Sequence, residues 1–184
     1  MPHPVFRIIL TSLALLTAAA CGTSRSLDES FSDFGANAGL KGILFSDRSQ
    51  DYSDIDITIY EGRLMLTGTL RSEDAREKLI ENAWKADGVD QVIDEIFVGD
   101  KTPLGQGFND GRIDQVLRTR LIASRTITNT DYKISVSGAV VYLIGAADSQ
   151  NEIEEAARIA SSVAGVDKVV SHVIVRGDLL AGQL

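Results

Sequence analysis

Few side chains in this chain are of the types that carry catalysis. The two histidines are His3 and His172, and Cys21 is the single cysteine. His172 lies in an alternating stretch with no cysteine or second histidine near it to complete a metal site, so it reads as a surface or cross-strand residue. Glu152, Glu154 and Glu155 crowd the start of a helical pattern, where exposed amides favour acids whatever the function, and they make no general acid and base pair. Gly105-x-Gly107-x-x-x-Gly111 departs from the dinucleotide-binding spacing and follows Pro103, which marks a linker. Asp51, Asp54 and Asp56 lack the spacing and the glycine of a calcium loop and lead into a strand. The order of residues yields no serine, histidine and acid constellation. Neither an enzyme activity nor a cofactor or metal is expected.

The remaining chemistry is that of cations on an anionic surface. The whole chain holds 18 basic and 26 acidic residues, a balance that taken alone argues against an anionic surface as partner, and no nucleic acid is expected. The excess is uneven: residues 36–99 hold 7 basic and 13 acidic side chains, whereas residues 113–176 hold 7 of each. Arg112, Arg118, Arg120 and Arg125 fall on or beside a helical pattern running from about Arg112 to Ser124, against a single acid, Asp114. Ile113, Val116, Leu117 and Leu121 face a core in that pattern, which leaves Arg118, Ile122 and Arg125 together on another face. Near an anionic leaflet each arginine is worth about 1 kcal/mol. That is enough to orient a domain already held at a membrane, though not to recruit a free one. The plainer alternative is a solvated helix face with snorkelling arginines.

The elements that position these residues come from a repeat. Residues 36–99 return as 113–176 at a constant spacing of 77, with Leu40 on Leu117, Ile57 on Ile134, Leu66 on Leu143, Gly68 on Gly145, Ser72 on Ser149, Gly88 on Gly165 and Val92 on Val169. Two copies of one small fold favour a binding or structural module over an enzyme with one deep cleft. Each copy reads as helix, hairpin, helix, strand. Ile55, Ile57 and Ile59 alternate with polar neighbours, as do Leu64 and Leu66 after the Glu61-Gly62 turn, and this predicts a hairpin with one buried face. In the second copy the turn glycine, Gly138, aligns with Glu61, which predicts turns of different type. Ser72 and Ser149 open helices, and Gly88 and Gly165 stop them. Ala75, Leu79, Ile80, Ala83 and Trp84 form the first helix's apolar stripe, matched by Ile153, Ala156, Ala157, Ala160 and Val163. At about 64 residues each, the copies are near the lower limit for a stable core, so they are expected to dock on each other.

The flanks complete the organisation. Met1 to Ala20 carries Arg7 and an apolar run from Ile8 to Ala20, too short for the ~20 residues of a membrane span, and reads as a signal peptide over residues 1–20. It resembles a bacterial lipoprotein signal, with Ala19, Ala20 and Cys21 matching the cleavage motif and Ala18 standing where that motif prefers leucine. The resemblance implies lipidation of Cys21, and Gly22 after it implies sorting to the outer membrane with the domains facing the periplasm. The alternative is an ordinary secretory signal and a soluble periplasmic protein. Residues 21–35 then form the lipidated cysteine and its tether, 100–112 a glycine-containing linker, and 177–184 a tail.

Leu66-Thr67-Gly68 with Gly88-Val89-Asp90-Gln91-Val92, and Leu143-Ile144-Gly145 with Gly165-Val166-Asp167-Lys168-Val169, resemble the BON domain. That resemblance covers both repeats and implies an α+β fold of two tandem αββαβ domains, each a small mixed sheet with two helices packed on it. A lipoprotein signal with two such domains after it resembles the dual-BON outer-membrane lipoproteins. This resemblance implies a role in envelope integrity and stress tolerance, with contact between the second domain and anionic phospholipid. Arg112, Arg118, Arg120, Ile122 and Arg125 are the residues expected to make it. The alternative is a periplasmic protein-interaction module that binds an envelope assembly partner or another copy of itself through a sheet edge or the apolar surface between domains.

Overall fold

The computed structural model describes residues 42, 51–100, 104–127 and 132–176. The segment expected to be a signal, Cys21, the expected tether, all but one residue of the stretch expected to form the first repeat's leading helix, and the expected tail lie outside the described residues. In the first repeat β1 (Ile55–Tyr60) and β2 (Arg63–Leu70) form the expected hairpin, α1 (Glu73–Ala83) crosses over, and β3 (Gln91–Val98) returns parallel to β2. The second repeat supplies α2 (Leu104–Ala123), β4 (Tyr132–Ser137), β5 (Val140–Ala147), α3 (Gln150–Ser161) and β6 (Lys168–Val175). Its register reproduces the first: Ile57 faces Leu66 as Ile134 faces Leu143, and Leu64 faces Val92 as Val141 faces Val169. The two sheets have the orders β1-β2-β3 and β4-β5-β6. Each is a mixed sheet whose last strand arrives through a crossover helix, because a parallel neighbour cannot be reached by a tight hairpin.

Local chemistry explains the joints. The Ser72 and Ser149 hydroxyls accept from the amides of Ala75 and Glu152, each at 3.3 Å. Glu152, only 3% exposed, closes the second cap by accepting from the Asp148 amide at 3.0 Å through Oε2, while Oε1 is buried without a hydrogen-bond partner among the described residues. Gly68 is required by contact: at φ +123° a Cβ there would lie 2.0 Å from the Asp54 carbonyl oxygen. The hairpin turns correct the expectation of two types. Both central residues have positive φ in each turn, Glu61 (48°) and Gly62 (73°), then Gly138 (59°) and Ala139 (65°). The right-handed twist of the strands selects the same turn twice and accepts one non-glycine residue in each.

The larger departure concerns the buried faces. Ile59, Leu64, Leu66 and Ile96 pack under α1, and Ile134, Val141, Leu143 and Val173 pack under α2 and α3. The opposite faces are buried too, because the sheets stack on each other through Tyr60, Met65, Ile93, Tyr142, Ile144 and Ala146. The layers run α1, first sheet, second sheet, α2 with α3. Trp84, expected in the buried stripe, caps α1 at 53% exposure on the outside of the first domain.

α2 begins at Leu104, inside the stretch expected to be linker. Glycines lower helix propensity by about 1 kcal/mol each, yet tertiary contacts fix this segment. The Asp110 carboxylate accepts from the amides of Gly138 (2.9 Å) and Ala139 (3.0 Å), and Arg112 donates to the Ala164 carbonyl at 2.7 Å.

Candidate membrane-contact surface

The inner side of α2 is fixed by Ile113, Leu117 and Leu121, all in the core of the second domain. At about 100° per residue this turns Phe108, Arg112, Gln115, Thr119 and Ile122 outward along one stripe. All five are exposed, with Phe108 at 88% and Ile122 at 72%. The two apolar side chains are about four turns, or about 21 Å, apart along the axis. Phe108 and Ile122 stand outward on a helix whose core face is satisfied, and they are the two most exposed of the large apolar side chains among the described residues, ahead of Phe97 at 68% and Trp84 at 53% in the first domain; they mark the two ends of one stripe, not a contiguous apolar patch.

The arginines are arranged differently from the expected patch. Arg112 and Arg120 both reach across to the C-terminal end of α3, Arg112 to Ala164 O at 2.7 Å and Arg120 to Ser162 O at 3.1 Å, where free carbonyls attract cations. Arg118 is held in a fork by Asp114 at 2.8 and 2.9 Å and donates to Ile134 O at 3.2 Å. Arg125 lies exposed beyond the helix and has no ion pair among the described residues. Ile122 and Arg118 come together as expected; Arg112 and Arg120 point to another helix. The reason is local: spacing along a helix gives a direction, while the acceptors at α3's end become visible only in three dimensions.

Beside Ile122, where α2 meets edge strand β4, Leu121, Ile122, Ile127, Tyr132 and Ile134 line an apolar hollow of about 130 Å³, with Arg118 at its margin. Burial and the neighbouring Glu152 carboxylate push the Tyr132 phenol above its ordinary range. A larger cleft of about 590 Å³ between β1, α2 and β4 is lined by Asp54, Asp56, Asp110, Asp114 and Arg118. Three of its four acids serve the fold: Asp56 accepts from Ser135 Oγ at 2.9 Å, Asp110 holds the hairpin turn and Asp114 holds Arg118; the fourth, Asp54, accepts from the neighbouring Ser53 hydroxyl at 3.4 Å. No group of metal-ligating side chains occurs among the described residues.

His172 turns out to join the two domains. Its Nε2 meets Glu95 Oε1 at 2.8 Å, and these are equivalent positions of the repeat, 77 residues apart. Arg63 donates to the His172 carbonyl oxygen at 2.8 Å and to Gln91 at 3.0 Å, with burial drawing its pKa down. At the other end of the seam Thr67 meets Ser135 at 2.7 Å, and the Lys133 ammonium donates to the Ile59 carbonyl. The outer strands are guarded as well: Asp94 accepts from the Ile96 amide at 3.1 Å, and its counterpart Ser171 from the Val173 amide at 3.4 Å.

The sequence offers Phe108 as the nearest aromatic candidate for an interface but places it in the linker and not on α2; the hollow beside Ile122 is a separate feature that the sequence does not show. The signal available for Phe108 was its four-turn distance from Ile122; the glycines on either side concealed it.

Comparison with known proteins agrees with this architecture. A protein from the gshII 5′ region of Anaplasma centrale, described as uncharacterised, is 37% identical over 123 residues, 66% of this chain and 82% of that one. A 21 kDa hemolysin of Actinobacillus pleuropneumoniae is 31% identical over 116 residues, 63% of this chain and 59% of its own. The outer membrane lipoprotein DolP of Haemophilus influenzae is 27% identical over 116 residues, 63% of this chain and 60% of its own. The chain thus spans about three fifths of the length of the latter two. The family model described as the BON domain matches residues 32–100 and again 109–177, one match for each repeat, and the chain belongs to the BON domain family.

Proposed function

We propose that this protein is a non-enzymatic envelope lipoprotein, anchored through Cys21 in the outer membrane with its domains in the periplasm, whose second domain rests on phospholipid through the outer stripe of α2. The observation that carries this reading is the exposed pair Phe108 and Ile122 on one face of a fully packed helix. Charge agrees with it. The second domain is balanced at 7 basic and 7 acidic residues, while the first, at 7 and 13, would be repelled by an anionic leaflet. Stacking of the sheets puts α1 on one outside and α2 on the other, so a membrane under α2 leaves the acidic domain facing away from it. The name of the Haemophilus relative, an outer membrane lipoprotein, supports the location. No helix among the described residues is long and apolar enough to cross a membrane, as an anchored protein requires none. In this reading the protein supports outer-membrane integrity under stress by bracing the inner leaflet.

Of the surfaces the protein-interaction alternative would use, the apolar area between the domains is filled by the seam, while the sheet edges remain, with one outward amide each of β3 and β6 taken by Asp94 and Ser171.

The test is co-sedimentation of residues 22–184 with vesicles of zwitterionic lipid, and of the same lipid with an anionic component, at low and high salt. Binding of the free form to both is expected, because Phe108 and Ile122 add apolar burial to arginines too weak to recruit it by themselves; it should be stronger on anionic vesicles by the contribution of Arg125 and only modestly weakened by salt, since most guanidinium groups are already paired. Absence of binding to either vesicle would move the function to a protein partner.

A further inference from the structure

We infer that the hollow between α2 and β4 holds the end of a single phospholipid acyl chain. The inference rests on the proposed membrane contact and adds a chain-binding site to it. Ile122 belongs to both places: it stands on the outer stripe and forms a wall of the hollow. An acyl chain displaced from the bilayer at that point therefore enters without crossing water. The other walls, Leu121, Ile127, Tyr132 and Ile134, are core residues with apolar surface turned to the hollow. An apolar cavity of about 150 Å³ takes a benzene-sized molecule, so a hollow of about 130 Å³ accepts a short run of chain, roughly five carbons. The headgroup contributes little, because Arg118 at the margin is already forked by Asp114 at 2.8 and 2.9 Å. The site selects chains rather than charge.

The probes are monomeric alkyl phosphates and alkylphosphocholines of increasing chain length, each below its micelle concentration, titrated against residues 22–184 by calorimetry. Affinity should rise about fourfold per methylene until the hollow is full, after roughly five carbons at this volume, and then flatten. The two headgroup series should agree within about threefold, since a charge compensated by Asp114 discriminates weakly, and inorganic phosphate should not bind. Ile127→Phe, which fills the hollow away from the outer stripe, should abolish alkyl binding and leave vesicle binding intact. The plateau in the unsubstituted protein tests the site even if that variant folds poorly. No monomer binding, or affinity that climbs with chain length without a plateau, overturns the acyl site while vesicle binding keeps the membrane reading. Failure of vesicle binding as well overturns both. A change in oligomeric mass on Ile127→Phe would assign the hollow to a second copy of the chain and overturn the proposal.

Discussion

Phe108→Asp should reduce binding of residues 22–184 to zwitterionic vesicles by about tenfold to a hundredfold, with little change in thermal stability. Fully burying a phenylalanine side chain is worth about 1.5–3 kcal/mol, and each step of about 1.4 kcal/mol is about tenfold in affinity. Phe108 is 88% exposed in the free protein, so nearly all of its surface is available to be withdrawn from water on contact. The same exposure means that no folding contact is lost. Vesicle co-sedimentation read against a thermal melt separates the two effects: unchanged binding removes Phe108 from the interface, and a lowered melting temperature would show that it packs against the fold. Combining the change with Ile122→Asp should reduce binding further, since the two sites are about 21 Å apart and act independently.

The second large effect belongs to the seam. Met65 is fully buried between the sheets, with Thr58 beside it on β1 and Ile93 on β3. Met65→Asp places a carboxylate there with no cation at either paired position. The Arg63 guanidinium two residues away is bound to Gln91 and to His172 O through Nε and Nη2, and its Nη1, buried without a partner among the described residues, is the one group that could meet the new charge, at the cost of desolvating it between the sheets. An unpaired buried charge of this kind should cost at least about 3 kcal/mol. Each domain alone is near the size at which a single core is marginal. Calorimetry should therefore show one cooperative unfolding transition in the unsubstituted protein, and in Met65→Asp a lower or divided one. A single transition at an unchanged temperature would mean that the domains do not stabilise each other.

The range of each interaction along the chain decides how much of this is legible in the sequence. The hairpins and the Ser72 and Ser149 caps are set by neighbours within a few residues and are found where the patterns put them. Gly88 and Gly165, expected to stop the helices, instead lie in the turns beyond them: α1 already ends at its cap Trp84 and α3 at Ser162, and the glycines supply the positive φ of the turn into the last strand. The second buried face escapes such a reading because Asp56, Thr58 and Tyr60 alternate as a solvent-facing strand would. The seam pairs residues far apart in the chain, such as Glu95 with His172 and Thr67 with Ser135. Periodicity within one strand carries no information about them; Met65, Tyr142 and Ile144 on the supposedly polar side are the available hint. The start of α2 is hidden for a related reason. Gly105, Gly107 and Gly111 lower its intrinsic helicity, and the compensation comes from the turn at Gly138 and from Ala164, both distant in sequence. The arginines are legible in number and approximate direction, but their partners at the end of α3 and at Asp114 compete with a lipid phosphate in a way that only the folded chain displays.

The central claim, that the outer stripe of α2 meets the bilayer, is open to a direct optical test because Trp84 is the single tryptophan and lies on the opposite outside of the molecule. Phe108→Trp in a Trp84→Phe background moves the only indole to the stripe. On adding vesicles its emission should shift to the blue and be quenched by lipids brominated along the acyl chain, while Trp84 in the unsubstituted protein keeps its emission. A tryptophan at 108 that stays solvent-like and unquenched on vesicles that bind the protein would contradict contact through α2.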